Sequence, residues 1–104
     1  MKPLSATEAI AAIEAGTLTS ERLVRDCLDR IAEREPAVKA WAFLDPALAI
    51  VQAKAADAAK GGLLRGIPVG IKDIIDTHDM PTGHNSPIFE GKVPFGDAAC
   101  VALC

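Results

Sequence analysis

Leu64-Arg65-Gly66-Ile67-Pro68-Val69-Gly70-Ile71-Lys72-Asp73-Ile74-Ile75-Asp76 is the stretch on which the reading of this chain turns. From Ile67 to Ile71 every second residue is β-branched, so Ile67, Val69 and Ile71 fall on one face of a short strand, 67–72. The other face carries Pro68, Gly70 and Lys72. A proline ring and a bare glycine beside a lysine leave open space next to its ammonium, as in the wall of a pocket. Pro68 also removes a ladder donor and Gly70 invites close backbone approach, which places the strand near an edge, a bulge or a site. The alternative is structural: an edge-strand lysine that discourages pairing with another chain. Pattern alone leaves both readings open.

Toward the N-terminus, Ser5-Ala6-Thr7-Glu8 has the spacing of a capping box and opens a helix expected over 5–15, with Gly16 as its stop. A second helix, 19–34, begins near Thr19. It carries Leu23, Val24, Cys27, Leu28 and Ile31 on one stripe and is expected to end before Pro36. Val38–Leu44 reads as a strand, 38–44. Asp45-Pro46 then supplies a cap and a first-turn proline for a helix over 46–60, closed by Gly61-Gly62. Strand, helix and lysine strand in that order suit a parallel pair joined by a crossover helix, so the fold class is α/β. After Lys72 the spacing of prolines and glycines predicts a long irregular loop, 76–96, of the kind that tends to be functional. Asp97 is read as the cap of a last helix, 98–104.

Composition narrows the function classes. The chain has 104 residues and a formal charge of −3, with one Trp, three Phe and no Tyr. That length allows one domain of ordinary size. A net negative, aromatic-poor chain offers neither a basic field for a phosphate backbone nor a stacking surface, so nucleic acid is not expected as a direct partner. No apolar run reaches the roughly 20 residues of a membrane span, and Glu8 and Glu14 interrupt any leader-like core. Cys27, Cys100 and Cys104 are odd in number and lack a Cys-x-x-Cys spacing, which suggests reduced thiols in the cytoplasm. Cys100, Cys104, His78 and His84 could in principle gather around zinc, although their spacing matches no familiar finger.

The lysine stretch, followed by Met80-Pro81-Thr82, Ser86-Pro87-Ile88-Phe89-Glu90-Gly91 and Pro94-Phe95-Gly96-Asp97-Ala98-Ala99-Cys100-Val101, resembles the lysine segment of the amidase signature family, with the malonamidase-like bacterial branch nearest. The resemblance implies the N-terminal part of a mixed sheet flanked by helices. It also implies hydrolysis of a small-molecule carboxamide to a carboxylate and ammonia or an amine. The chemistry it implies runs through a nucleophilic serine, a second serine in a cis peptide and a lysine, the last matched here by Lys72, with no metal or organic cofactor. Both family serines lie downstream of the lysine, beyond residue 104. The chain is therefore expected to be the front end of a larger enzyme and to be inactive alone. Left by itself it is expected to self-associate, as a homo-oligomer, or to pack loosely. Ser86 matches a loop position and is not taken as the nucleophile, and Asp73 and Asp76 are read as holding the loop by hydrogen bonds. Two other readings stay open: a truncated, non-catalytic interaction module, and an amidotransferase subunit that delivers ammonia on transfer RNA, to which the resemblance is weaker.

Overall fold

The computed structural model describes residues 2–104. In chain order they form α1 (Ala6–Glu14), α2 (Ser20–Val38), α3 (Pro46–Ala59), a 3-10 turn (Pro87–Phe89) and α4 (Ala99–Ala102). No strand forms among the described residues. The chain divides after Val69 into two units, the second being Gly70–Cys104.

In the first unit the helix signals are local and operate as side chains. Ser5 Oγ accepts from the Glu8 amide at 3.2 Å while Glu8 Oε2 accepts from the Ser5 amide at 2.8 Å. Thr19 Oγ1 accepts from the Arg22 amide at 3.1 Å, and Asp45 Oδ1 from the Leu48 amide at 3.1 Å. Each such cap satisfies an amide that has no partner inside its helix. The N-terminus of α2 has a second tie: the Ser20 and Glu21 amides donate to Asp57 Oδ1 and Oδ2 of α3 at 2.7 and 3.0 Å. α2 and α3 pack on one another, and the buried apolar residues are Ala9, Val24 and Ala53. Burying Val24 is worth about 1.5–3 kcal/mol, so this is a small core.

The expected end of the second helix before Pro36 is corrected. α2 contains Pro36 and runs on to Val38. Proline lacks a donor, but the end of the helix is secured from outside it. Lys39, at φ 52°, donates its amide to the Glu35 carbonyl at 2.9 Å, and the Trp41 amide donates to Glu35 Oε1 at 2.9 Å. That extension consumes the strand expected at 38–44, since Val38 is helical and Lys39 is left-handed.

The strand expected at 67–72 is corrected for a related reason: with no second strand there is no ladder for it to join. Its approach is a turn instead. Arg65 and Gly66 both have positive φ, 51° and 79°, and the Ile67 amide donates to the Leu64 carbonyl at 2.9 Å. Two successive positive φ values are the mark of a type I′ turn. Gly66 is required there. The Ser20 hydroxyl donates to its carbonyl, and a Cβ at Gly66 would meet Ser20 Oγ at 2.6 Å and Ala56 Cβ at 2.9 Å.

The second unit has no buried apolar residue among those described; Thr77 and Thr82 are its buried side chains. The expected loop over 76–96 holds the 3-10 turn, and the last helix is shorter than 98–104. Asp97 does not cap it: Ala98 is the N-cap and no side chain closes the end.

Candidate active site

Lys72 lies at the start of a tight turn in the second unit. Its carbonyl accepts from the Ile75 amide at 3.0 Å, and its side chain is exposed. An exposed ammonium is surrounded by water, so a base built on Lys72 needs further covering.

The residues around that turn are organised by backbone hydrogen bonds that reach across the loop. Asp73 takes two consecutive amides: Gly83 donates to its Oδ1 at 2.8 Å and His84 donates to its carbonyl at 2.9 Å. Asp76 accepts the Ala98 amide at 2.9 Å through its carbonyl. Thr82 ties the middle, its amide donating to the Lys92 carbonyl at 2.9 Å and its hydroxyl to the Ile75 carbonyl at 3.5 Å. Thr77 is buried with its hydroxyl directed to the Met80 carbonyl at 3.4 Å. His84 and Asn85 both sit at positive φ, 52° and 53°. Asn is among the residues best able to adopt that region, and His follows it.

Ser86 is occupied structurally. Its Oγ accepts the Ile88 amide at 3.4 Å at the start of the 3-10 turn. The other two serines are occupied as well, Ser5 at the cap of α1 and Ser20 on the Gly66 carbonyl.

Of the four residues considered for zinc, His78, His84 and Cys104 have side chains engaged elsewhere. His78 Nδ1 pairs with Asp97 Oδ1 at 2.8 Å, the His84 ring lies 5.1 Å from that of Phe89, and Cys104 Sγ faces the Cys100 carbonyl at 3.2 Å. Among the described residues no group of three or more His, Cys, Asp or Glu side chains is placed to hold a metal ion.

The His78–Asp97 pair was not legible in the sequence. The two residues are 19 apart, and Asp97 stands just before a helix, where a cap is the natural reading. The His78 amide also donates to Asp97 Oδ1 at 2.9 Å. The hydrogen bond that the ring donates to the Asp97 carboxylate, with the charges of Asp97 and Asp79, raises the His78 pKa above its ordinary value. The backbone and side-chain bonds from His78 lower that of Asp97.

No helix among the described residues is long and apolar enough to cross a membrane. Residues 22–104 match the family model described as Amidase. Over 99 residues the chain is 44% identical to the glutamyl-tRNA(Gln) amidotransferase A-type subunit of Oleidesulfovibrio alaskensis, covering 92% of this chain and 20% of that relative. Over 102 residues it is 41% identical to the protein of the same name from Acidothermus cellulolyticus, covering 93% of this chain and 20% of the relative. It is 39% identical over 104 residues to a Mycobacterium tuberculosis protein carrying the amidase name AmiD, covering 95% of this chain and 22% of the relative. The chain thus spans about a fifth of the length of these curated relatives. The likeness to the amidotransferase subunits, which sequence reading ranks as the weaker one, is at least as high as that to AmiD.

Proposed function

This chain belongs to the amidase family, and from that membership we propose that it supplies the lysine of an enzyme that hydrolyses a small linear carboxamide to a carboxylate and ammonia or an amine. The observation that carries the proposal is that the family match, residues 22–104, contains the whole stretch from Gly66 to Asp73 that resembles the family's lysine segment. In the complete protein Lys72, once desolvated, takes a proton from a bridging serine. That serine in turn takes one from the nucleophile, which attacks the amide carbonyl. Backbone amides hold the resulting oxyanion. Its collapse breaks the C–N bond, and the leaving nitrogen takes the relayed proton and departs as ammonia or an amine. Water then hydrolyses the remaining acyl-serine ester to release the acid. Both serines belong to the part of the family sequence downstream of Lys72. We place Ile67–Lys72 there as a strand of the family's mixed sheet, formed when partner strands are present, and the protein in the cytoplasm, in keeping with three free cysteines.

The test is ammonia release from malonamate and propionamide by the complete protein. Lys72→Ala should lose on the order of two to four decades of turnover while remaining folded. Lys72→Arg should fail similarly, because a guanidinium does not deprotonate near neutral pH. Wild-type rates in either variant would remove Lys72 from the mechanism.

A second reading is favoured by the 44% identity to one of the amidotransferase relatives. In it the same lysine chemistry releases ammonia for transfer to a tRNA-bound acceptor, with partner subunits. It predicts little turnover of simple amides by the protein alone and restoration on adding the partners. Efficient ammonia release from malonamate without partners decides for the hydrolase. A non-catalytic module predicts no turnover in either assay, and a stop codon directly after Cys104 would favour it.

A further inference from the structure

The residue next to Lys72 is attached to the loop at two points. Asp73 accepts the Gly83 amide through its carboxylate, at 2.8 Å, and the adjacent His84 amide through its own carbonyl, at 2.9 Å. One hydrogen bond fixes a distance and leaves a swivel. Two from consecutive amides to one residue fix an orientation as well. The carboxylate bond is charge-assisted, which makes it the stronger kind.

The far side of this clamp is equally defined. The Ser86 amide donates to the Gly83 carbonyl at 3.0 Å, closing the turn through His84 and Asn85. That turn approaches so closely that a Cβ on Gly83 would stand 3.1 Å from Asp73 Oδ2. On the near side, the Ile75 amide bonds the Lys72 carbonyl at 3.0 Å, so Lys72 and Asp73 lie in one closed turn. The backbone from which the Lys72 side chain departs is therefore held by its neighbour's carboxylate.

We infer that Asp73 is a positioning residue for Lys72: by seating the Gly83–His84 amides it fixes the lysine Cα, and it moves no proton itself. A lysine side chain is long and freely rotating, so the reach of its amine depends on where its Cα is anchored. A displacement of about 1 Å in a proton acceptor costs up to about 100-fold. The inference rests on Lys72 being the base of the proposed enzyme.

The experiment uses the complete protein, with malonamate and propionamide as probe amides, and compares Asp73→Ala, Asp73→Asn and Asp73→Glu beside Lys72→Ala. Asp73→Ala should lower kcat by about 10- to 100-fold per folded molecule with KM within about twofold of wild type. Asp73→Asn keeps an acceptor oxygen at the same reach, so it should recover kcat to within a few fold and leave the pH-rate profile unchanged. Asp73→Glu keeps the charge but displaces the acceptor by a methylene, so it should be impaired; it also provides the readout if Asp73→Ala does not fold. An Asn variant as slow as Ala, or with a lost limb in its pH profile, overturns the inference in favour of a role for the charge. So does a Glu variant as fast as wild type, or an Ala variant that unfolds more readily but keeps kcat. Undiminished turnover in Lys72→Ala removes the lysine reading itself, and that result is separable because it does not depend on position 73.

Discussion

At the scale of single residues, Gly66 shows how tightly one position can be specified. Its φ of 79° lies where side chains are strained, and a Cβ would meet Ser20 Oγ at 2.6 Å, Ser20 Cβ at 2.8 Å and Ala56 Cβ at 2.9 Å. Gly66→Ala should therefore destabilise the complete protein by about 1–3 kcal/mol, read as a lower thermal midpoint. Removing only the hydroxyl, as in Ser20→Ala combined with Gly66→Ala, should not restore it, because the two carbon contacts remain. Full recovery in the double variant would show that the hydroxyl alone forbids a side chain there. The sequence gives notice of this glycine only as one member of the lysine stretch. Its partners lie 46 residues upstream and on α3, and no local signal announces them. Serine chemistry is a residue-scale matter too. With the hydroxyls of Ser5, Ser20 and Ser86 in caps or on a carbonyl, the 104-residue polypeptide assayed alone should release no ammonia from propionamide. Turnover abolished by Ser86→Ala would reverse that expectation and make Ser86 a nucleophile.

At the scale of elements, what could be read from the sequence was what is written locally. Ser5-x-x-Glu8, Thr19 and Asp45-Pro46 announce helix starts because the capping oxygen and its amide are about three residues apart. What could not be read was what depends on distant partners. Asp57 reaches from α3 to the first amides of α2. Pro36 stays helical because Glu35 secures the exit. The alternation Ile67, Val69, Ile71 has strand periodicity yet forms no strand without a second one. The His78–Asp97 tie across the loop is of this distant kind, and it has a pH signature. The His78 pKa is raised from its ordinary 6.5, so its contribution is complete below about 6.5 and is lost as pH rises through the higher folded value. The Asp97 pKa is lowered from 3.8, so its contribution is complete above about 3.8 and is lost as pH falls through the lower folded value. Both sides act together between those limits. Amide protection in residues 78–97, taken relative to the intrinsic exchange rate at each pH, should be greatest in that window and fall above it, and in Asp97→Asn the His78 pKa measured by NMR should drop toward 6.5. An unchanged His78 pKa in that variant would dissolve the pair.

At the scale of the whole molecule, the two units are held by different forces. The first has Ala9, Val24 and Ala53 as its buried apolar residues, and helix caps that fix its ends. The second has buried threonines and a net of backbone hydrogen bonds, while Ile74, Ile88, Phe89, Val93, Phe95 and Leu103 are exposed. Hydrogen bonds that compete with water are worth about 0.5–1.5 kcal/mol each net, whereas ordering each residue costs about 1–2 kcal/mol of backbone entropy. A unit with little apolar burial is therefore at the weak end of local stability. Exposed Leu63, Leu64 and Val69 in the first unit add further apolar surface, and surfaces of this kind promote association. The polypeptide of 104 residues, isolated, should thus self-associate or show loose tertiary packing, with the second unit exchanging its amides faster than α2 and α3. Trp41, the only tryptophan, is exposed at 41% and should give a weak near-ultraviolet circular dichroism signal. Sedimentation velocity on the same sample reports the association. A sharp monomer boundary together with a strong Trp41 band and one cooperative unfolding transition would mean that these residues close a core by themselves, and the interaction-module reading would then take precedence over that of a segment awaiting the rest of an amidase.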